Sequence, residues 1–141
     1  QAKGKTLTEQ FFAQGADIIL PVAGPVGIGS GQATLDKTGT MVIGVDSDWF
    51  GLAAHAAYKG NILTSIEKKM AKAVLSIIKD GVDGKFTGGD ANQYVGTLDN
   101  GGVMIADQHD VAYPDGIQAK LDDLKAKIID GTIKVTSIYS K

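Results

Sequence analysis

IILPVAGPVGIGSG, residues Ile18–Gly31, reads as strand, glycine loop and helix in succession. The apolar run Ile18–Val22 lacks the polar alternation of a half-buried strand, which fits a parallel strand covered on both faces. Glycines at 24, 27, 29 and 31 follow. They permit a left-handed turn and close backbone approach, either to a ligand or to a neighbouring element. Open α/β sheets bind small molecules at the carboxyl ends of their strands, and a strand–glycine-loop–helix unit places backbone N–H groups there. A second strand, Met41–Val45, ends in Asp46-Ser47-Asp48. The two strand ends are read as one site.

Working outward, Thr6-x-x-Glu9 has the form of a capping box ahead of Phe11, Phe12 and Ala13, with Gly15 as a stop. A helix is expected from near Ser30 to Lys37, and Thr38-Gly39 turns the chain into the second strand. Helix, strand, helix, strand is the alternation of an α/β protein with a parallel sheet. Trp49–Gly60 reads as loop or short helix, and Asn61–Thr64 as a strand. Ile66, Met70, Ala73, Val74 and Ile77 recur at helical spacing, so a helix is expected from Thr64 or Ser65 to Gly81, with Lys68, Lys69 and Lys72 in its opening turns. Asp83–Asn92 reads as a surface loop. Asn100-Gly101 between Tyr94–Leu98 and Val103–Ala106 signals a hairpin. A last helix is expected from Pro114-Asp115 to Gly131, then a strand over Ile133–Ile138.

At 141 residues the chain is long enough for one domain with a real core. A net charge of −2 argues against nucleic acid and anionic membrane surfaces as partners. All 14 basic residues are lysine. Bidentate clamping of phosphate or carboxylate calls for arginine, so an uncharged ligand fits better. No cysteine means no disulfide and no thiolate chemistry. No apolar run approaches the ~18 residues of a membrane span. The opening QAKGKTLTEQ lacks the pattern of a signal peptide.

The glycine loop lacks the Gly-Lys-Ser/Thr of a P-loop, and Gln32 stands where the dinucleotide fingerprint needs a small residue. Asp46, at a strand's carboxyl end, can accept hydrogen bonds from two vicinal hydroxyls, or can simply cap a turn. Asp48 has the same two roles open. Lys68, expected in a helix's first turn, would oppose the dipole there, so it is either a ligand contact or a solvated lysine. Trp49 and Phe50 can stack on a planar ligand or pack the core. His55 and His109 are the only histidines; Asp107-x-His109-Asp110 lacks a third ligand at metal-site spacing, so no metal is expected. No nucleophile elbow is present, and no catalytic residue or cofactor is expected.

GADIILPVAGPVGIG, VIGVDSD, ILTSIEKKMAKAV, YVGTLDNGGVMIA and the closing helix with IIDGTI, taken in this order, resemble the basic membrane protein family of solute-binding lipoproteins, which serve ABC transporters and include purine-nucleoside receptors. The resemblance covers nearly the whole chain. It implies a type I periplasmic-binding-protein fold, present in part, with a Rossmann-like parallel-sheet lobe and a section crossing to a second lobe. It implies residues 1–63 in one lobe, 64–110 crossing, and 111–141 as a closing helix and strand. It also implies a purine nucleoside in an interlobe cleft, with Asp46 on the ribose hydroxyls, Lys68 on the purine, and the backbone of Ala23 and Gly24 lining the cleft. Gly27, Asp48 and Trp49 are further candidates. The implied partners are a nucleoside and a transporter permease, and the implied location is extracytoplasmic, with membrane attachment only through a lipid anchor outside this segment. The chain begins where the family's pattern is about half complete, so an N-terminal half or a second chain is expected to complete the fold. Two other readings use the same residues: a cytosolic α/β enzyme acting on a ribosyl substrate, and a ligand-sensing regulatory domain.

Overall fold

The computed structural model describes residues 1–89 and 93–136. The elements run α1 (Ala2–Ala13), β1 (Ile18–Ile19), α2 (Gly27–Ala33), β2 (Met41–Asp46), β3 (Ile62–Lys68), α3 (Met70–Val82), β4 (Val103–Ile105) and α4 (Ile117–Ile129), alternating helix and strand except between β2 and β3. Short 3-10 turns at Gly24–Val26, Trp49–Gly51 and Ala53–Asn61 fill the connections. The sheet order is β1-β2-β3-β4. The first three strands are parallel and β4 is antiparallel to β3. Parallel pairing puts the carboxyl ends of β1, β2 and β3 on one edge, which is where the candidate residues Asp46 and Lys68 stand.

The core lies between the sheet and the turns that follow β2. Val42, Trp49, Tyr58 and Ile62 are buried together, with Val45 packed against them. Gly27, Gly29 and Gly31 serve close packing rather than a loop, whereas Gly24 stands in open space. A Cβ on Gly27 would meet the Trp49 ring at 2.8 Å, one on Gly29 would meet the Gln1 carbonyl oxygen at 2.0 Å, and one on Gly31 would meet the Tyr58 ring at 2.1 Å. These three lie inside α2, where the backbone itself is the contact surface. Helix α2 accordingly starts at Gly27 and ends at Ala33, earlier than the Ser30–Lys37 expected from the sequence.

Other boundaries differ for traceable reasons. Helix α1 begins at Ala2 with Gln1 as its cap, and Thr6 is an interior residue, so the Thr6-x-x-Glu9 box does not start it. Strand β1 is limited to Ile18–Ile19. The largest shift is at β3. Ile66, Glu67 and Lys68, expected in a helix, pair with Ile105, Met104 and Val103 on one side. Ile66 and Glu67 pair with Val45 and Asp46 on the other. Two flanking ladders outweigh local helical spacing, and α3 starts at Met70 with Lys69 as its cap residue. Asn100-Gly101 does form a turn, with Gly101 in the left-handed region. Yet Val103–Ile105 joins β3 while Tyr94–Leu98 is not a strand. The described part of the expected terminal strand, residues 133–136, is irregular, and the rest of it lies outside the described residues.

Candidate functional site

The carboxyl edge of the sheet brings three segments together. After β1, residues 22–26 are exposed. Within them Gly24 has φ +54° and open space where a side chain would stand. Ala23 precedes it, its N–H bonded to the Pro21 carbonyl at 2.9 Å. After β2 stands Asp46, and at the end of β3 stands Lys68.

Asp46 is the only non-glycine residue of the described chain with positive φ, at +71°. The Ser47 N–H donates to the Val45 carbonyl at 2.9 Å across it. That hydrogen bond and that φ define the strained, positive-φ form of the γ-turn. Residues held this way cost of order 1–3 kcal/mol and persist where surrounding structure over-determines them. The surroundings here are specific. The Trp49 N–H donates to Ser65 Oγ at 3.0 Å, and Trp49 Nε1 donates back to the Val45 carbonyl at 3.0 Å. Asp48 Oδ1 accepts the Phe50 N–H at 3.2 Å and faces Ser65 Oγ at 3.4 Å. The turn is therefore bolted to the buried Ser65 of β3, and Asp46 is left at its apex.

Lys68 Nζ lies 2.7 Å from Asp46 Oδ1, with side-chain exposures of 65% and 46%. The lysine reaches Asp46 because it ends a strand beside β2; it is not in a helix's first turn, so the expected opposition to a helix dipole is absent. An ion pair this exposed contributes about 0–1 kcal/mol to stability. Its neighbour Glu67 is buried and held by Lys69 Nζ at 2.7 and 2.8 Å. An exposed carboxylate and an exposed ammonium in contact form an acceptor next to a donor. Together they match a neutral ligand that carries hydroxyl donors and a carbonyl acceptor.

The remaining candidates sit deeper. Trp49 is buried, with His55 stacked at 4.2 Å between ring centroids. A Cβ on Gly44 would meet Trp49 at 2.6 Å, and one on Gly27 would meet it at 2.8 Å, so the indole is enclosed and Gly27 is its packing partner. Phe50 has His109 stacked at 3.9 Å and Lys59 Nζ at 3.8 Å from its ring centroid. Two groups that close cannot share a face, so both faces of Phe50 are covered. Asp48 is taken up by the turn and by His109 Nε2 at 2.7 Å. The contact between His109 and Asp48 was not visible in the sequence, where Asp107-x-His109-Asp110 carried only a metal question. No group of three or more ligating side chains occurs among the described residues. Burial lowers the pKa of His55 and pushes Tyr58 up to about 12, and both belong to the core.

The family described as ABC transporter substrate-binding protein, PnrA-like, matches residues 1–138. The ABC transporter nucleoside-binding protein BmpA of Lactococcus lactis subsp. cremoris is 34% identical over 96% of this chain, which spans 40% of that protein. An ABC transporter solute-binding protein from Conexibacter woesei superposes with a TM-score of 0.71 at 22% identity, covering 98% of this chain and 43% of that one. A transcriptional activator of the comK gene from Bacillus halodurans superposes with a TM-score of 0.74 at 19% identity, covering 93% and 43%. The two structures share the fold. The chain belongs to the PnrA-like family of ABC transporter substrate-binding proteins.

Proposed function

We propose that this chain forms part of the extracytoplasmic binding component of an ABC importer and holds a purine nucleoside between two lobes. The observation that carries the reading is Asp46, a strained residue at a strand's carboxyl end whose carboxylate partner is the still more exposed Lys68. In this reading Asp46 accepts hydrogen bonds from the two ribose hydroxyls, Lys68 donates to a carbonyl on the base, and the Ala23–Gly24 backbone lines the cleft. Binding is reversible and no bond is made or broken. Orientation comes from these polar groups, and most of the affinity from apolar contact. The nucleoside-binding relative at 34% identity supports the ligand class.

The boundary expected after residue 63 falls inside β3, which pairs with β2 through Glu67, so in this reading one lobe runs to Lys68, the crossing section starts with α3, and 111–141 closes the unit. The exposed Met70, Val74, Leu75 and Ile78 of α3 would then be covered by the remainder of a two-lobe protein, on the same polypeptide or a second chain. Its partners would be the nucleoside and a permease, with a lipid anchor outside this segment. A thermal-shift screen of the full-length protein with nucleosides, free bases, ribose and nucleotides tests the reading. A shift with inosine or guanosine and none with ribose or nucleotides is expected. No shift with any nucleoside would overturn it. Release of free base from inosine in the same samples would favour the ribosyl enzyme instead.

A further inference from the structure

We infer that His109 is a positioning residue for the nucleoside site, acting through Asp48 and Phe50 on the turn that presents Asp46. The inference rests on the nucleoside reading above. His109 comes from the segment that leaves β4, 61 residues along the chain from Asp48, and joins that turn at two points. Its Nε2 meets Asp48 Oδ2 at 2.7 Å. Its ring lies on Phe50 with 3.9 Å between centroids and 5° between planes. Asp48 and Phe50 are themselves joined by the Phe50 N–H bond to Asp48 Oδ1 at 3.2 Å. The three residues therefore close a ring of contacts, with Lys59 Nζ on the far face of Phe50 at 3.8 Å.

What this ring fixes is the downstream arm of the γ-turn. Asp46 has φ +71°, a conformation it leaves when it is not held. Two of its restraints, the bonds from Trp49 to Ser65 and to Val45, are buried or partly buried and belong to the core. The third, Asp48, is held by Ser65 Oγ at 3.4 Å on one oxygen and by His109 at 2.7 Å on the other. The shorter contact is the one made by His109. Taking it away frees one carboxylate oxygen and one face of Phe50, two residues and four residues from Asp46, without opening the core. His109 touches no ligand in this scheme. It keeps the carboxylate where the ligand needs it and ties the segment after β4 to the exit of β2.

Isothermal titration of inosine into the full-length wild-type protein, His109→Ala and His109→Gln, with ligand-free melting temperatures, tests this. Glutamine keeps an N–H donor for Asp48 and a flat amide for Phe50. His109→Ala should weaken inosine binding about five- to tenfold, and His109→Gln should recover to within about twofold of wild type. Both should melt close to wild type. Wild-type affinity in His109→Ala would overturn the inference while leaving the nucleoside reading intact. Failure of glutamine to recover binding, with melting temperature and affinity falling together in both variants, would overturn it too, since His109 would then serve only the fold. A wild-type protein that binds no inosine would overturn the nucleoside reading, and the inference with it.

Discussion

Helices α1 and α3 are of similar length, 12 and 13 residues, and each carries apolar residues at helical spacing. Their surroundings differ. Helix α1 buries Gly4, Thr8 and Phe12. At Gly4 it approaches so closely that a Cβ would stand 2.3 Å from the Val26 carbonyl oxygen. Helix α3 has the more sharply divided apolar face and buries no residue among those described. Helix α4 buries none either. The difference teaches that amphipathic patterning records an intended contact, not an achieved one. Helix α1 finds a partner in this chain for the face that carries Gly4, Thr8 and Phe12, while its Leu7 and Phe11 stay exposed. The apolar stripe of α3 is left exposed, and in the proposed two-lobe arrangement the rest of the protein would cover it.

The strongest way to break this comparison is to substitute one residue of the buried cluster and one of the exposed face of α3. Trp49→Ala removes the centre of the buried cluster and should destabilise the chain by about 3–5 kcal/mol in chemical denaturation. Leu75→Ala, on the exposed face of α3, should change the stability of the same 141-residue chain by about 0.5 kcal/mol or less. In a complete two-lobe protein Leu75→Ala should instead behave as a core substitution, losing about 2–5 kcal/mol. Equal, small effects in both contexts would mean that nothing covers α3.

A smaller effect tests the strain held in the turn at Asp46. Asp46→Gly relieves the positive φ, whereas Asp46→Ala keeps the strain and removes the side chain best suited to it. The glycine variant should be more stable than the alanine variant by about 1 kcal/mol, although both lose the carboxylate. Equal melting temperatures would show that the turn relaxes when its side chain changes.

Smaller still is the pH response of the core. His55 is buried against Trp49, and burial lowers its pKa from the ordinary 6.5. The unfolded chain then binds a proton at His55 more readily than the folded one. Stability should be fully present above pH 6.5, decline as the pH falls below it, and level off beneath the folded pKa. Denaturation of wild type and His55→Gln between pH 5 and 8 reads this out. The variant should lack part of the acid-side decline, and an identical slope would remove His55 from the titrating groups.

Much of this was legible in the chain itself. The α/β alternation, the parallel strands at Ile18 and Met41 and the position of Asp46 at a strand end follow from local pattern. Where local pattern failed, a distant residue decided. Ile66 suits a helix with Met70 as well as a strand with Val45, and pairing to Ile105 settles it. Gly27 and Gly31 suggest a ligand loop until Trp49 is seen against the first and Tyr58 against the second, whereas Gly24 stays open. For Asp46, its place at a strand end was legible and its strain was not, because a non-glycine γ-turn is imposed by its surroundings, Ser65 and Trp49 among them, rather than by the residue itself. His109 meeting Asp48 has no local signal at all.

The central claim is that the exposed Asp46–Lys68 pair holds the ribose and base of a purine nucleoside. Calorimetric titration of inosine and adenosine into full-length wild type, Asp46→Asn and Lys68→Gln tests it most directly. Asp46→Asn should lose about 1.5–3 kcal/mol, some ten- to hundredfold, for both nucleosides, because both carry the same ribose. Lysine only donates, so wild type should prefer the carbonyl of inosine to the amino group of adenosine, and Lys68→Gln should narrow that preference. Unchanged affinity in Asp46→Asn would contradict the claim.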